Sequence, residues 1–348
     1  MQAAVNAGFK VIAIDAFADV DTQKIAQKVY QCSIKNGQFD AEDFLENLQK
    51  IELNNCLGLC FGAGFEAQPE LLASIAQRLP LIGNTAKVVD SIKMPQPFFS
   101  LCDTLKIAYP PTQFERPVNS LGWLQKQIGG SGGAHIKRAL PLDCTASKLH
   151  YYQKIQAGIP YSCLFLANGN NAQVIGFNEQ WCEASAFLPY RYGGAVSQVD
   201  LTRQVKNTII EFITKATPFF SLNGLNSCDF LVHENTIYML EINPRLSASL
   251  NLYRAEKGDL FVAHVAACMG NLADWPTVEQ KSRAHHIVYA NKAAQVPITM
   301  DWPEWVCDIP QPNSYIPAGA PLCTVVAEAR TAKLAKQKVL ARVAELGC

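Results

Sequence analysis

The sequence predicts an α/β fold in which a parallel strand–helix unit precedes a larger α+β region built from antiparallel hairpins. Two observations support this prediction. Short apolar runs alternate with helical patterns over residues 11–82, which is typical of a parallel sheet. Further along, strand-like runs separated by turn residues recur at 122–138, 162–176 and 229–243, and this spacing favours hairpins.

The amino-terminal unit begins with the end of a helix over residues 3–10, followed by a buried strand at Val11–Ile14. A sheet of this kind normally opens with a strand and a Gly-rich turn, so either the start is misassigned or the sheet lacks its first strand. Gly62-Ala-Gly64 is interpreted as a loop at the carboxyl end of a parallel strand, although a plain turn fits equally well. The patterns predict further helices near 21–29, 40–50 and 69–78, and strands near 29–32, 56–61 and 81–82.

The rest of the chain alternates between helical and strand patterns. The helical pattern over 84–106 is expected to break at Pro95 and Pro97. The remaining predicted elements are strands at 122–126, 135–138, 148–156, 162–167, 173–176, 286–290 and 323–327, and helices at 201–216, 259–270 and 330–346.

Composition limits the classes of function. The 348 residues are 49% hydrophobic and 17% charged, which is enough for two or three packed domains. Lys plus Arg and Asp plus Glu both number 30, so no basic face for nucleic acid or an anionic membrane is expected. The sequence contains neither a membrane-length apolar run nor a signal peptide. Its twelve Cys form no Cys-x-x-Cys pair, so a cytoplasmic protein without disulfides or zinc is predicted.

The hairpin over residues 229–243 carries three oxygen-bearing side chains. Asp229 begins one strand, and Glu241 and Asn243 end the other, two residues apart and hence on one face. Because the turn brings the strand ends together, these side chains are expected to converge. Such oxygen ligands suit a hard cation such as Mg²⁺. Arg245 follows Pro244 and adds a fixed cation.

A second candidate site is the glycine-rich loop that follows the strand carrying Lys126. Gly129, Gly130, Ser131, Gly132 and Gly133 can lay backbone N–H groups against phosphate oxygens. The spacing differs from a Walker A loop, and the loop is also compatible with plain flexibility. Because its five small residues have little to pack against, we expect the loop to be mobile without nucleotide.

With these features in order, the chain resembles ATP-grasp enzymes, most closely the ATP-dependent carboligases related to biotin carboxylase. The resemblance covers nearly the whole chain. The matching stretches are Asp15–Thr22, Gly62–Glu66, Lys126 with Gly129–His135, Tyr151–Gln153, Arg191–Gly194, Leu240–Arg245, Ile287–Ala290, Asp308–Pro310 and Gly319–Ala327.

The resemblance implies an ATP-dependent carboxylate–amine ligase that forms an acyl-phosphate and releases ADP and phosphate. ATP would lie between two antiparallel sheets, with Lys93 and Lys126 on its phosphates and the glycine loop over them. Gln153, Lys154 and Ile155 would read the adenine edge. One or two Mg²⁺ ions, with Mn²⁺ as an alternative, would be held by Asp229, Glu241 and Asn243. Arg245, with Lys126 and Arg191, would stabilise transferring charge.

The resemblance also implies boundaries and partners. An amino-terminal pre-ATP-grasp domain is expected over residues 1–86, an ATP-grasp domain over 87–270 with its lid at about 115–155, and a biotin-carboxylase-like portion over 271–348. The partners are a small carboxylate and an amine, with a homodimer as one oligomeric state. Related proteins connect the group to methanofuran- or methanopterin-type cofactor pathways. No biotinyl-lysine segment is found, and a non-catalytic nucleotide-binding protein is the alternative.

Overall fold

The structure of the protein is a computed structural model, which describes residues 1–35, 37–139, 149–253, 259–272 and 281–347. The helices are α1 Gln2–Asn6, α2 Val20–Ile25, α3 Ala41–Gln49, α4 Pro69–Ala76, α5 Ala86–Lys93, α6 Pro95–Leu105, α7 Arg203–Phe220, α8 Asp259–Cys268 and α9 Ala332–Leu346. The strands are β1 Ile12–Asp15, β2 Lys28–Gln31, β3 Ile34–Lys35, β4 Gln38–Phe39, β5 Thr112–Gln113, β6 Trp123–Gln127, β7 Ile136–Arg138, β8 His150–Lys154, β9 Ile159–Asn168, β10 Ala172–Cys182, β11 Tyr192–Ser197, β12 Asn223–His233, β13 Thr236–Asn243, β14 Ser282–Tyr289, β15 Ala294–Gln295, β16 Val306–Cys307, β17 Tyr315–Ile316 and β18 Pro321–Ala329.

The amino-terminal unit is less regular than the sequence predicts. β1 and β2 form a parallel pair, as expected. The apolar runs predicted as strands at 56–61 and 81–82 meet only in one parallel bridge, between Leu59 and Leu81. Pro80 has no N–H to donate, which limits a longer ladder at this point. A separate core of buried side chains, including Phe44, Leu72 and Ile75, holds the unit together.

The helical pattern over 84–106 breaks once. α5 ends at Lys93, Met94 is extended, and α6 opens at Pro95. Pro95 and Pro97 both lie in the first turn of α6, where the N–H groups lack intrahelical acceptors and proline is tolerated, so the predicted break falls just before them. The junction places Lys93 at the end of a helix whose other buried residues include Val89 and Ile92.

An eight-stranded antiparallel sheet forms the centre of the molecule, in the order β13-β12-β9-β10-β11-β14-β18-β16. Its side chains alternate between two faces, as strand geometry requires. One face packs Phe165 and Phe230 against Phe212 of α7. The other face packs Leu164 and Leu225 against the α8 side and belongs to a different core. β14 pairs with β11, so strands from both sides of the predicted domain boundary at 270/271 belong to one sheet. The boundary itself remains a prediction.

A second, four-stranded antiparallel sheet has the order β5-β8-β6-β7 and lies within residues 112–154. Its strand β6 carries Lys126 and leads into the glycine loop, and β7 follows the loop. The sheet lies within the range predicted as a lid, and the lid role remains a prediction. No helix among the described residues is long and apolar enough to cross a membrane. The ten cysteines in the described part of the chain form no disulfide with one another.

Candidate functional site

The hairpin of β12 and β13 brings the predicted metal ligands together. Its turn is made by Glu234 and Asn235, both with positive φ, so the two strands run back along each other. Asp229 lies opposite Glu241, and Ser227 lies opposite Asn243. Directly paired residues share a face of the sheet, so Asp229, Glu241 and Asn243 point to the same side.

Hydrogen bonds join these three side chains into one cluster. Asn243 Nδ2 donates to Asp229 Oδ2 at 2.9 Å. The ammonium of Lys93 donates to Glu241 Oε2 at 2.9 Å and to Asn243 Oδ1 at 2.8 Å. Gln180, from β10, donates to Asp229 Oδ1 at 3.3 Å. Lys93, predicted to bind phosphate, therefore contacts two predicted metal ligands.

The two carboxylates of the cluster have opposite pKa shifts. Burial and the neighbouring charge of Glu241 raise the pKa of Asp229 to about 7. Partial desolvation opposes ionisation of Glu241, but Lys93, His135 and Lys126 outweigh it and lower its pKa. Glu241 is therefore the ionised partner near neutral pH, and Asp229 lacks enough positive charge nearby to ionise as easily.

Arg245 forms a buried ion pair that the sequence analysis missed. Its Nε donates to Glu66 Oε1 at 2.8 Å, and its Nη1 donates to the Leu246 carbonyl at 3.2 Å. Glu66 also accepts from the backbone N–H groups of Gly64 and Phe65 through Oε2. Glu66 follows the Gly62-Ala-Gly64 loop by two residues. The sequence analysis placed that loop on the ligand side of the sheet, and this position could have indicated a role for Glu66 at the site. The pair leaves Nη2 as the guanidinium nitrogen of Arg245 without a described partner.

Lys126 supplies a buried positive charge. The residue is 8% exposed, and no carboxylate in the described part of the chain forms an ion pair with its ammonium. Burial lowers the pKa of Lys126, while Glu241 and Asp229 oppose that shift. His135 lies nearby, hydrogen-bonded to the Ser131 carbonyl, and burial lowers its pKa too. The Tyr151 ring centroid lies 6.0 Å from the ammonium. A buried ammonium without a directly paired carboxylate is costly, so this position favours an anionic ligand.

The glycine loop packs against two other segments, contrary to the expectation that it has little to contact. A Cβ on Gly129 would lie 2.7 Å from the Ala67 Cα and the Glu66 carbonyl oxygen. A Cβ on Gly133 would lie 1.8 Å from the Tyr190 carbonyl oxygen. Both glycines also have positive φ. The absence of side chains thus allows close backbone approach, and the predicted mobility without nucleotide remains a prediction.

The segment predicted to contact adenine, residues 153–155, lies at the end of β8 in the four-stranded sheet. Gln153 is buried and donates to Thr112 Oγ1 at 3.0 Å. The N–H groups of Lys154 and Ile155 donate to the carbonyls of Pro111 and Gly122, each at 2.8 Å. Because these two N–H groups already donate to backbone carbonyls, contacts between this segment and an adenine would have to use its other polar groups.

The described contacts of Arg191 are with residues outside the cluster of Asp229, Glu241 and Asn243. Its Nε and Nη1 donate to the carbonyls of Glu183 and Gly319, at 3.0 and 3.1 Å. Its guanidinium carbon lies 3.5 Å from the ring centroid of Tyr289. These contacts connect β11 to the carboxyl-terminal strands, and no described hydrogen bond joins Arg191 to Asp229, Glu241 or Asn243. Its catalytic role remains a prediction.

The donor set of the cluster fits Mg²⁺ in chemical type. Two carboxylates and an amide oxygen are hard donors, and the raised pKa of Asp229 indicates that added positive charge would stabilise its ionised form. The described residues contain no group of three or more His, Cys, Asp or Glu suited to a metal ion. Any ion here would therefore need phosphate or water oxygens to complete its coordination.

Comparison with known proteins defines the class. Residues 91–249 match the sequence model of a family described as ATP-grasp domain. The biotin carboxylase domain of Hydrogenobacter thermophilus 2-oxoglutarate carboxylase, solved with MgADP, ADP and bicarbonate, is similar in structure. Its TM-score is 0.71 at 11% identity, over 97% of this chain and 84% of that one. Residues 91–249 therefore form an ATP-grasp domain, and the chain has the biotin carboxylase ATP-grasp fold.

Two curated relatives are similar in sequence. An uncharacterized protein of Methanocaldococcus jannaschii is 24% identical over 263 residues, which is 71% of this chain and 64% of that protein. The carbamoyl phosphate synthase large chain of Caldanaerobacter subterraneus subsp. tengcongensis is 37% identical over 59 residues, or 17% of this chain and 6% of that protein. The chain spans less than two thirds of the length of both relatives.

Proposed function

We propose that the protein is an ATP-dependent ligase that activates a carboxylate as an acyl-phosphate and joins it to an amine, with ADP and phosphate as products. The ATP-grasp domain over residues 91–249 supports the use of ATP. The observation that carries the proposal is Lys126, a buried ammonium without a carboxylate partner in the described chain, beside the glycine loop. Terminal phosphates supply the anion that such a group lacks.

The residues around Lys126 suit γ-phosphoryl transfer. Its ammonium and the N–H groups of the glycine loop bind phosphate oxygens and stabilise charge that develops during transfer. The backbone of the loop lies close to Ala67 at Gly129 and to Tyr190 at Gly133, and these contacts support the loop's position. Asp229, Glu241 and Asn243 would hold one or two Mg²⁺ ions, with Mn²⁺ as a substitute. The metal supplies neutralisation of phosphate charge and alignment of the transferring group.

Arg245 is the candidate residue for the carboxylate. Glu66 occupies its Nε, so the guanidinium is held in one orientation, and Nη2 is the nitrogen without a described partner. One N–H bond to the substrate carboxylate would orient it for attack on the γ-phosphorus. The carboxylate oxygen attacks phosphorus and ADP leaves; the amine nitrogen then attacks the acyl carbon and phosphate leaves, with loss of one proton from nitrogen.

We infer small-molecule substrates, a cytoplasmic location and a homodimer as working proposals. The proposals of a homodimer and of a bound nucleotide are supported by the similar biotin carboxylase domain, which was solved as a dimer with MgADP. A role in cofactor biosynthesis of the methanofuran or methanopterin type is a further proposal. The identity of the acid is best approached by mass spectrometry of small molecules that co-purify with the protein.

The test of the proposed chemistry is isotopic. Acids and amines are screened for ADP and phosphate release, and the active acid is then supplied with ¹⁸O in its carboxylate. One label should appear in the released phosphate, because the carboxylate oxygen that attacks phosphorus leaves with it. AMP and pyrophosphate as products, or phosphate without label, would contradict the acyl-phosphate mechanism.

A non-catalytic nucleotide-binding role is the second candidate, and one observation favours it. Each of the three predicted metal ligands already accepts a hydrogen bond from a side chain of the protein. A protein that binds ATP tightly and releases neither ADP nor AMP with any tested acid and amine would support this second candidate.

A further inference from the structure

The predicted metal ligands are closed off by the protein's own side chains. Both carboxylate oxygens of Asp229 accept hydrogen bonds, from Gln180 and Asn243. The ammonium of Lys93 occupies Glu241 Oε2 and Asn243 Oδ1. Among the side-chain oxygens of Asp229, Glu241 and Asn243, Oε1 of Glu241 is therefore the one with no described hydrogen-bond donor.

Lys93 is built into this position. Its side chain is 5% exposed, whereas that of Glu241 is 35% exposed, so the lysine approaches from the interior and the glutamate faces the open side. Lys93 is the last residue of α5, and the helix is anchored by the buried side chains of Val89 and Ile92. The ammonium is therefore directed into the cluster by the backbone and is not a surface lysine resting on it.

A metal ion and the Lys93 ammonium cannot share these ligands. Mg²⁺ binds oxygen at about 2.0–2.1 Å, so an ion bridging Glu241 and Asn243 would lie in the gap between their oxygens. The ammonium nitrogen already lies 2.9 and 2.8 Å from the same two oxygens. Two cations at such a separation repel strongly in a partly buried site. Occupation by one therefore requires departure of the other.

We propose that Lys93 is a selectivity residue, which excludes free divalent cations from the cluster and admits a metal ion only together with a polyphosphate. The inference rests on the proposed use of a metal–nucleotide complex. A free cation brings no anion to which the displaced ammonium can move. A nucleotide brings phosphate oxygens that accept the ammonium, and the four-carbon lysine stem is flexible enough for the exchange.

The cost of displacing Lys93 without such an anion is evident from its surroundings. Lys126 lies close enough to influence the same carboxylates, so an ammonium expelled from Glu241 would remain near a second buried positive charge. Arg245 is already paired with Glu66, which removes that carboxylate as an alternative partner. Polyphosphate relieves both difficulties, because it provides negative charge for Lys93 and Lys126 together.

Mn²⁺ binding tests the proposal without an acid or amine substrate. Free Mn²⁺ is followed by its paramagnetic resonance signal as metal is added to the wild-type protein, Lys93→Met and Lys87→Met, with and without ADP. Methionine keeps an unbranched, mainly apolar side chain one atom shorter than that of lysine and removes the charge. Lys87 is exposed on the same helix and serves as the matched control. Circular dichroism and denaturant unfolding show whether each variant is folded.

We expect the wild-type protein and Lys87→Met to bind Mn²⁺ at the cluster only when ADP is present. Lys93→Met should bind Mn²⁺ without ADP, about tenfold or more tightly than the wild type does, because the competing charge is gone. Wild-type binding of Mn²⁺ equally tight with and without ADP would overturn the proposal whatever the variant does. So would a folded Lys93→Met that still requires ADP. If no protein binds Mn²⁺ even with ADP, the metal assignment in the proposed function fails as well.

Discussion

Removal of the Glu66 carboxylate is the perturbation with the largest expected effect on stability. The side chains of Arg245 and Glu66 are 11% and 1% exposed, and their Nε–Oε1 distance is 2.8 Å. Glu66→Ala leaves the guanidinium charge buried and loses the carboxylate that accepts from Gly64 and Phe65. Breaking a buried pair in this way costs about 3–5 kcal/mol of unfolding free energy.

The assay is denaturant unfolding at neutral pH, with a surface pair as control. Lys281 pairs with Glu328 at 3.1 Å, but the two side chains are 69% and 37% exposed. Lys281→Ala is therefore expected to cost less than about 1 kcal/mol. A loss for Glu66→Ala no larger than the loss for Lys281→Ala would refute the reasoning that burial makes the Arg245–Glu66 pair essential.

The pH dependence of the same pair provides a second readout. Burial would raise the pKa of Glu66, but the charges of Arg245 and Lys93 outweigh it and lower the pKa in the folded protein. Because the folded pKa lies below the unfolded value, the stabilisation is fully present above the unfolded pKa and is lost as the pH falls through the folded pKa. In Glu66→Gln this acid-side loss should be smaller than in the wild type.

Three further predictions concern the cluster and the loop. Glu241→Gln and Asn243→Ala should abolish turnover while circular dichroism stays unchanged; undiminished phosphate release by folded Glu241→Gln would contradict the metal assignment. Asp229→Asn should raise the free energy of unfolding at pH 8. The pKa of Asp229 is raised to about 7 in the folded protein, so its ionisation at higher pH destabilises the fold. An unchanged unfolding midpoint would count against that cost of burial. Gly133→Ala should weaken ADP binding more than Gly132→Ala, since both have positive φ but only Gly133 meets a backbone oxygen, at 1.8 Å, whereas nothing lies within 4 Å of a Cβ on Gly132; equal losses in an ADP titration would show that backbone strain alone matters.

Much of the fold could be predicted because it depends on local pattern. The hairpin over 229–243 was readable from two apolar runs and the turn residues between them. The turn sets the register only as far as the Phe230–Met239 pair; a β-bulge between Asp229 and Phe230 then shifts the pairing by one residue and places Asp229 opposite Glu241. The resemblance to ATP-grasp enzymes was recognised from stretches along the chain, and the family match over residues 91–249 confirms it. Helix α7 was predicted from its amphipathic pattern over residues 201–216.

The sequence by itself determined which residue types are available at the site, namely two carboxylates, an amide, two lysines and an arginine in a recognisable order. Only the tertiary structure decided their partners. Lys93 lies 148 residues from Glu241 in sequence and Glu66 lies 179 residues from Arg245, so no local pattern can pair them. The packing of α5 and of the Gly62-Ala-Gly64 loop against the hairpin brings these charges within hydrogen-bonding distance. Burial makes an unpaired charge costly, which favours the Lys93–Glu241 and Arg245–Glu66 pairs that the structure shows.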